Sequence, residues 1–500
     1  MNRGKKSVYN LVFGVSNQII VLVIGLIIPR MFISSFGSET NGIQSSISYL
    51  YTYVALLESG IGTATLQALY RYVGIGDREG VNAILSATKK QYQKISLYYL
   101  LCMIGMALVF PYSVNSSLPK TTIALMTFLS GITTLTNFVA YGKFVIFLQV
   151  DGRAYIVQIV SLLSYIGKNA IKIIFLTRGM SIVSIYLAEL IIPAFVVAFY
   201  AIYKRKYFPW INYREKPYFE AISQSKNVLV HQISNIICNS TDVLVLTYIV
   251  GDLALVSVYN LYCMIFDAVK SLIANIFSSV HFIMGQTYNT DIVAYRQLHR
   301  IYEISDYYVS FSLYSVAYVM ILPFMRIYTR GISDVNYVDG TLALMFVLVK
   351  LVSSLREPAG QLINYAGHFK ETQTRSMIET GLNLGISVIS SKFIGIYGVL
   401  LGTIIALTYR MIDMYEYTSR HFLDRSILES LRQCLIYGIG FAVVILISKF
   451  VRIQVNTFIQ FFIYAIPVTL VMILYYGVIT MIFNHEFVKI VISKLKKGAK

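Results

Sequence analysis

Residues 458–483 read FIQFFIYAIPVTLVMILYYGVITMIF, 26 positions without a single charged side chain. A helix of that length matches the roughly 30 Å hydrocarbon layer of a bilayer. Comparable runs recur, among them Leu11 to Ile28 and Ile182 to Tyr203. Composition agrees: 56% of the 500 residues are hydrophobic, 13% are charged, and mean hydropathy is +0.65. A water-soluble domain carries about 25% charged residues. A soluble protein with this many apolar helices would need polar helices to cover them, and the chain has almost none. The sequence reads as an all-α polytopic membrane protein.

Fourteen candidate transmembrane segments can be counted. They lie near 8–33, 40–66, 95–115, 121–148, 155–177, 181–203, 225–250, 256–285, 303–326, 341–366, 373–394, 396–420, 430–450 and 457–485. The first follows MNRGKK, is too long for a signal-peptide core and has no small-residue cleavage site, so it is expected to remain as a helix. Basic residues test the count. With the N-terminus inside, 27 of the 42 Lys and Arg fall in inner segments and 8 in outer ones. That is the positive-inside asymmetry, and it places both termini in the cytoplasm of a multi-pass protein of the cytoplasmic membrane. Much of the net charge of +18 is therefore topological, and no nucleic-acid partner is expected. Cys102, Cys238, Cys263 and Cys434 are isolated in separate apolar segments, so neither a disulfide framework nor a metal pattern follows. Phosphate loops, H-E-x-x-H and G-x-S-x-G patterns are absent, so catalysis is not indicated and no cofactor is expected.

A weak internal echo divides the chain. FGSETNGIQSSISYLYTYV followed by GDREGVNAILSATKKQYQKISLYY parallels VGDLALVSVYNLYCMIFDAV followed by NTDIVAYRQLHRIYEISDYY. Each copy reads as a short turn, a span, and a basic amphipathic stretch leading into the next span. The expected organisation is a six-helix lobe over 1–203, a cytoplasmic linker over 204–224, a second six-helix lobe over 225–420, and two further helices with a basic tail over 421–500. A duplicated bundle of this kind is a recurrent transporter architecture.

Seven basic residues remain inside the segments: Lys143, Lys168, Lys172, Lys270, Lys350, Arg356 and Arg410. Each costs roughly 2.5–3.5 kcal/mol at mid-membrane. Lys143 and Arg410 sit toward inner ends and are expected to snorkel; the other five lie deeper. SYIGKNAIKIIF, residues 164–175, holds Lys168 and Lys172 one helical turn apart with Ser164 on the same face and no acid on that helix. These two need Glu58, Glu189, another helix's carboxylate, or an anionic ligand. Lys350, Ser354, Glu357, Gln361 and Asn364 make a similar stripe beside Arg356 and Pro358, and His231, Asn235, Asn239 and Asp242 make a third. Polar stripes in hydrocarbon must face protein or water, so a hydrated cavity is one reading. Local neutralisation is the other, with Asp267 paired to Lys270 three residues on and Lys350 paired to Glu357. The candidate coupling or pairing acids are Glu58, Asp242, Asp267 and Glu357.

Two stretches resemble the polysaccharide-transport (Wzx-type) lipid-linked oligosaccharide flippases of the multidrug/oligosaccharidyl-lipid/polysaccharide (MOP) exporter superfamily. One is FGSETNGIQSSISYLYTYVALLESGIGTATLQALYRYVGIGDREGVNAI, with its G-x-E-x-x-G turn and LESGIGTA span; the other is IETGLNLGISVISSKFIGIYGVLLGTIIA, with G-x-x-G-V-x-x-G-T. The resemblance covers nearly the whole chain. It implies two six-helix lobes in a MATE-like V, moving an undecaprenyl-pyrophosphate-linked oligosaccharide outward for capsule, exopolysaccharide or other cell-wall polymer assembly. Membrane lipids, a polysaccharide polymerase and glycosyltransferases are the implied partners, and a proton or sodium gradient the implied drive. A cation-coupled multidrug exporter, a peptidoglycan-precursor flippase and, further off, a membrane polymerase or ligase are the competing readings.

Overall fold

The computed structural model describes residues 3–222, 240–451 and 453–485, and among them there is no strand. The chain forms two compact units, Met1–Ser257 and Val258–Lys500.

In the first unit, Arg3–Val54 (α1) is helical on both sides of a break at Gly37, where φ is 82° and ψ 166°. Only a residue without Cβ adopts that backbone freely, so the GSETNG turn is made at its glycine. Just past the break, Glu39 accepts hydrogen bonds from the Ser117 backbone N–H and hydroxyl, both 2.7 Å. α2 (Leu56–Ile75) follows an interruption at Ala55. α3 (Arg78–Ser113) is 36 residues long and starts at Asp77, whose carboxylate caps Gly80 N–H. α4 (Lys120–Thr136) passes through a π turn at Asn137–Tyr141 into α5 (Gly142–Val150), and α6 (Ala154–Thr177) follows. α7 (Ile182–Glu189) and α8 (Ile191–Tyr207) are separated at Leu190. Pro193 has no N–H to give the Glu189 carbonyl, which accounts for that interruption. α9 (Ser240–Val250) closes in a second π turn.

The segment after α8 is packed onto this unit. Phe208 and Ile211 are buried, and Trp210 meets Phe147 edge-on at 5.8 Å under the Arg78 guanidinium. Asn82 of α3 accepts from the Asn212 N–H and donates to the Trp210 carbonyl.

α10 (Leu253–Thr290) leads into the second unit. α11 (Ile292–Tyr328), 37 residues long, is capped by the Asp291 carboxylate. α12 (Gly340–Leu355) breaks at Arg356 before α13 (Glu357–Ala366), then come α14 (Phe369–Ile394) and α15 (Ile396–Thr418), which ends in a π turn. α16 (Ile427–Ser448) and α17 (Phe458–Phe483) complete the chain. The echo in sequence is therefore an echo in structure. Each unit has an Asp-capped long helix (α3, α11), then a helix interrupted after 17 or 16 residues (α4, α12). The all-helical fold, built as two units, is the fold class that the sequence suggests.

Nine helical runs among the described residues are long and apolar enough to cross a bilayer. α12–α13 and α14 are not among them, because they carry Lys350, Arg356, Glu357, Lys370, Arg375 and Glu379. α14 lies close against α15: Gly395 turns the chain at φ 57°, and a Cβ at Gly398 would stand 2.3 Å from the Ser390 carbonyl carbon. Small residues facing small residues are how membrane helices approach closely, and this is what G-x-x-G-V-x-x-G-T encodes.

Candidate functional site: cations on interrupted helices

On α6, Lys168 and Lys172 converge on one acid. Glu189, the last residue of α7, lies 3.0 Å from the Lys168 ammonium and 3.6 Å from that of Lys172. The side chains of Lys172 and Glu189 are 10% and 7% exposed, that of Lys168 42%. Two cations share one carboxylate, so the group keeps one net positive charge. Glu189 occupies one of the three donors on Lys168, leaving the more exposed ammonium able to offer hydrogen bonds outward. Ser164 donates to its own helix at the Val160 carbonyl, 2.7 Å.

Glu58 stands in the first turn of α2 and accepts a 2.5 Å hydrogen bond from Tyr92. Gly62 makes room for it, since a Cβ there would lie 2.4 Å from Glu58 Oε1. The ESGIG part of LESGIGTA thus has a packing reason. Asp242 is buried in α9. His231, Asn235 and Asn239 lie outside the described residues.

In the second unit the pairing differs from what spacing suggests. Asp267 of α10 bonds Lys350 of α12 at 2.5 Å, and Lys270 donates to Ser353 Oγ at 3.0 Å. Neither the Asp267–Lys270 nor the Lys350–Glu357 pair forms, because neighbouring helices offer closer partners and the interruption at Arg356 puts Glu357 on a new helix. Lys270 has no carboxylate within ion-pair distance among the described residues. Glu357, Gln361 and Asn364 form a weakly hydrogen-bonded row along α13, at 3.4 and 3.5 Å. Ser354 turns to Tyr314 instead.

Arg356 bonds Glu379 of α14 at 2.5 Å; Arg410 of α15 reaches both Glu379, at 3.5 Å, and Asp413, at 2.7 Å; Arg375 closes the series on Asp413. Three guanidiniums and two carboxylates again leave one positive charge. Snorkelling is corrected for two residues. Arg410 is 5% exposed inside this network. Lys143, also 5% exposed, donates to the Val139 and Ala140 carbonyls at the π turn and lies under Tyr213.

Sequence reasoning passed over a buried polar row on α11: His299, Glu303, Asp306, Ser310 and Tyr314. Glu303 is held by Arg425 at 2.5 Å, while Asp306 Oδ2 has no hydrogen-bond partner. The helical spacing of the row was the available signal.

No protein-family model matches the chain and no curated protein matches it in sequence. Its fold is that of solved transporters of the MOP superfamily. An inward-facing multidrug resistance MATE transporter superposes with TM-score 0.61 at 14% identity, covering 80% of this chain and 94% of that one. The MATE transporter VcmN of Vibrio cholerae gives 0.55 at 17%, covering 84% and 98%. The lipid II flippase MurJ, in an inward closed conformation, gives 0.71 at 14%, covering 96% of this chain and 100% of that one. At such identities the likeness is one of fold.

Proposed function

We propose that the chain is a flippase that carries a polyprenyl-pyrophosphate-linked oligosaccharide across the cytoplasmic membrane by alternating access, for assembly of a surface polysaccharide. The observation that carries this reading is the Lys168–Glu189–Lys172 group, a surplus positive charge on a helix with no acid of its own and with one ammonium still exposed. A pyrophosphate cannot shed its hydration in hydrocarbon, and charge-assisted hydrogen bonds from cations replace part of it. Lys270, Lys350 and Arg356 supply further positive charge. Ser164, Asn235, Asn239, Gln361 and Asn364 would meet sugar hydroxyls, with the prenyl chain left in lipid. A proton or sodium gradient would drive transport, with Glu58 and Asp242 as coupling acids. A polymerase and glycosyltransferases would work beside it. A cationic-drug exporter would favour an acid-dominated site, which the surplus of cations does not supply.

A second reading, flipping of a lipid-linked peptidoglycan precursor, draws on the end-to-end fold likeness to MurJ. The test is flux in proteoliposomes, with a polyprenyl-pyrophosphate oligosaccharide, a lipid-linked peptidoglycan precursor and a cationic drug run in parallel. Flux of the first, lost in Lys168→Ala/Lys172→Ala protein that still inserts, is the expected result. Wild-type flux in that variant would sink the site, and flux of the precursor or the drug alone would sink the substrate.

A further inference from the structure

At the start of α16, a cavity of about 280 Å³ opens against the N-terminal part of α11 and the loop preceding α16. Arg300, Arg425 and Arg432 line it together with Glu303, Glu429 and Gln433. Arg425 is committed to Glu303 at 2.5 Å and to Ser430 Oγ at 2.9 Å, but its Nε–H is buried without a partner. Arg300 and Arg432 are exposed, and among the described residues neither has a carboxylate within ion-pair distance. Once the Arg425–Glu303 pair is set aside, two free guanidiniums face the lone Glu429.

The neighbouring surface is apolar. Leu428, Leu435, Ile439 and Leu446 of α16 are each more than half exposed and fall on one face of the helix. At about 100° per residue, Arg432 lies roughly 40° from that face, on the side toward Gln433. A guanidinium at the border between an anion-sized cavity and a bare apolar stripe is the arrangement that a lipid meets: headgroup in the cavity, acyl chain along the stripe. The charge bias of the sequence sets this end of the bundle at the inner leaflet, where anionic lipids draw basic pockets.

We infer that this cavity binds the phosphate-bearing headgroup of an anionic lipid, with Arg300 and Arg432 as its free ligands. The inference rests on the membrane reading and is independent of which substrate is carried. It is tested on purified full-length protein in neutral detergent by titrating phosphatidylglycerol, phosphatidylcholine and inorganic phosphate, with bound species counted by native mass spectrometry. Phosphatidylglycerol should be retained over phosphatidylcholine, and Arg300→Gln/Arg432→Gln should weaken it by roughly tenfold. Both arginines are exposed and unpaired, so the melting temperature should not move. Leu435→Gln should weaken retention of the lipid and leave phosphate unaffected. Wild-type lipid retention in the double arginine variant would overturn the site. Phosphate displacing the lipid at equal concentration would overturn the lipid and leave a free-anion site.

Discussion

Glu58 and Gly62 share one turn of α2, and the carboxylate fills the space where a methyl would stand. Gly62→Ala should push Glu58 off Tyr92 and cost about 1–2 kcal/mol, the worth of a hydrogen bond to a charged or partly buried group. Melting in detergent reads this. Tyr92→Phe breaks the same bond, so the double variant should melt no lower than the worse single one. Glu189→Gln costs more, because it leaves two ammoniums without their shared acid. Roughly 3–5 kcal/mol is expected for unpairing a buried charge, more than for removing the half-exposed Lys168, and equal melting temperatures for the two variants would contradict the shared pair. Glu39, at the Gly37 turn, has its own pH dependence. Burial raises its pKa, but hydrogen bonds from Ser116 and Ser117 outweigh that and hold it below the ordinary 4.5. A group depressed in the folded state stabilises above its unfolded value and loses that contribution as pH falls through the folded one. Protection of the amides around Ser117, taken relative to the intrinsic exchange rate at each pH, should therefore fall below about pH 4.5 in wild type and not in Glu39→Gln.

Among elements, the α14–α15 contact is the one most dependent on missing side chains. Gly398→Ala would drive a methyl into backbone and should cost about 1–3 kcal/mol. Gly438 of α16 meets nothing within 4 Å, so Gly438→Ala should be neutral or slightly stabilising. Comparing the two melting temperatures separates close packing from the general effect of adding a methyl to a helix. The spacing of G-x-x-G-V-x-x-G-T already carries this contact. Lys168 and Lys172 were equally legible, since a charge in an apolar run stands out without any fold. Their partner was one of several acids, because Glu189 reaches them only once the chain has turned back over residues 178–181 and α7 lies beside α6. Glu379, which joins Arg356 to Arg410, had no signal short of the α14–α15 packing. The α11 row was legible by its period, but its acids fall where the segment begins, and a boundary drawn at 303 makes them look like an inner flank.

For the molecule as a whole, the duplicated order of elements followed from the echo in sequence, and the Asp77 and Asp291 caps mark its matching points. Charge bias supplies the orientation, and labelling checks it. In a background without Cys102, Cys238, Cys263 and Cys434, an impermeant maleimide applied to intact cells should modify Ser333→Cys, between α11 and α12, and spare Lys206→Cys at the end of α8. Both positions are exposed, and the reverse pattern would invert the topology.

The docked segment after α8 also gives the protein a native optical reporter. Against 40 tyrosines there is one tryptophan, and Trp210 sits between Phe147 and Arg78. Selectively excited emission therefore comes from that single spot. A red shift during turnover would mean that the indole had been wetted by the segment lifting away, whereas a constant spectrum would mean that this part of the first unit moves as a block.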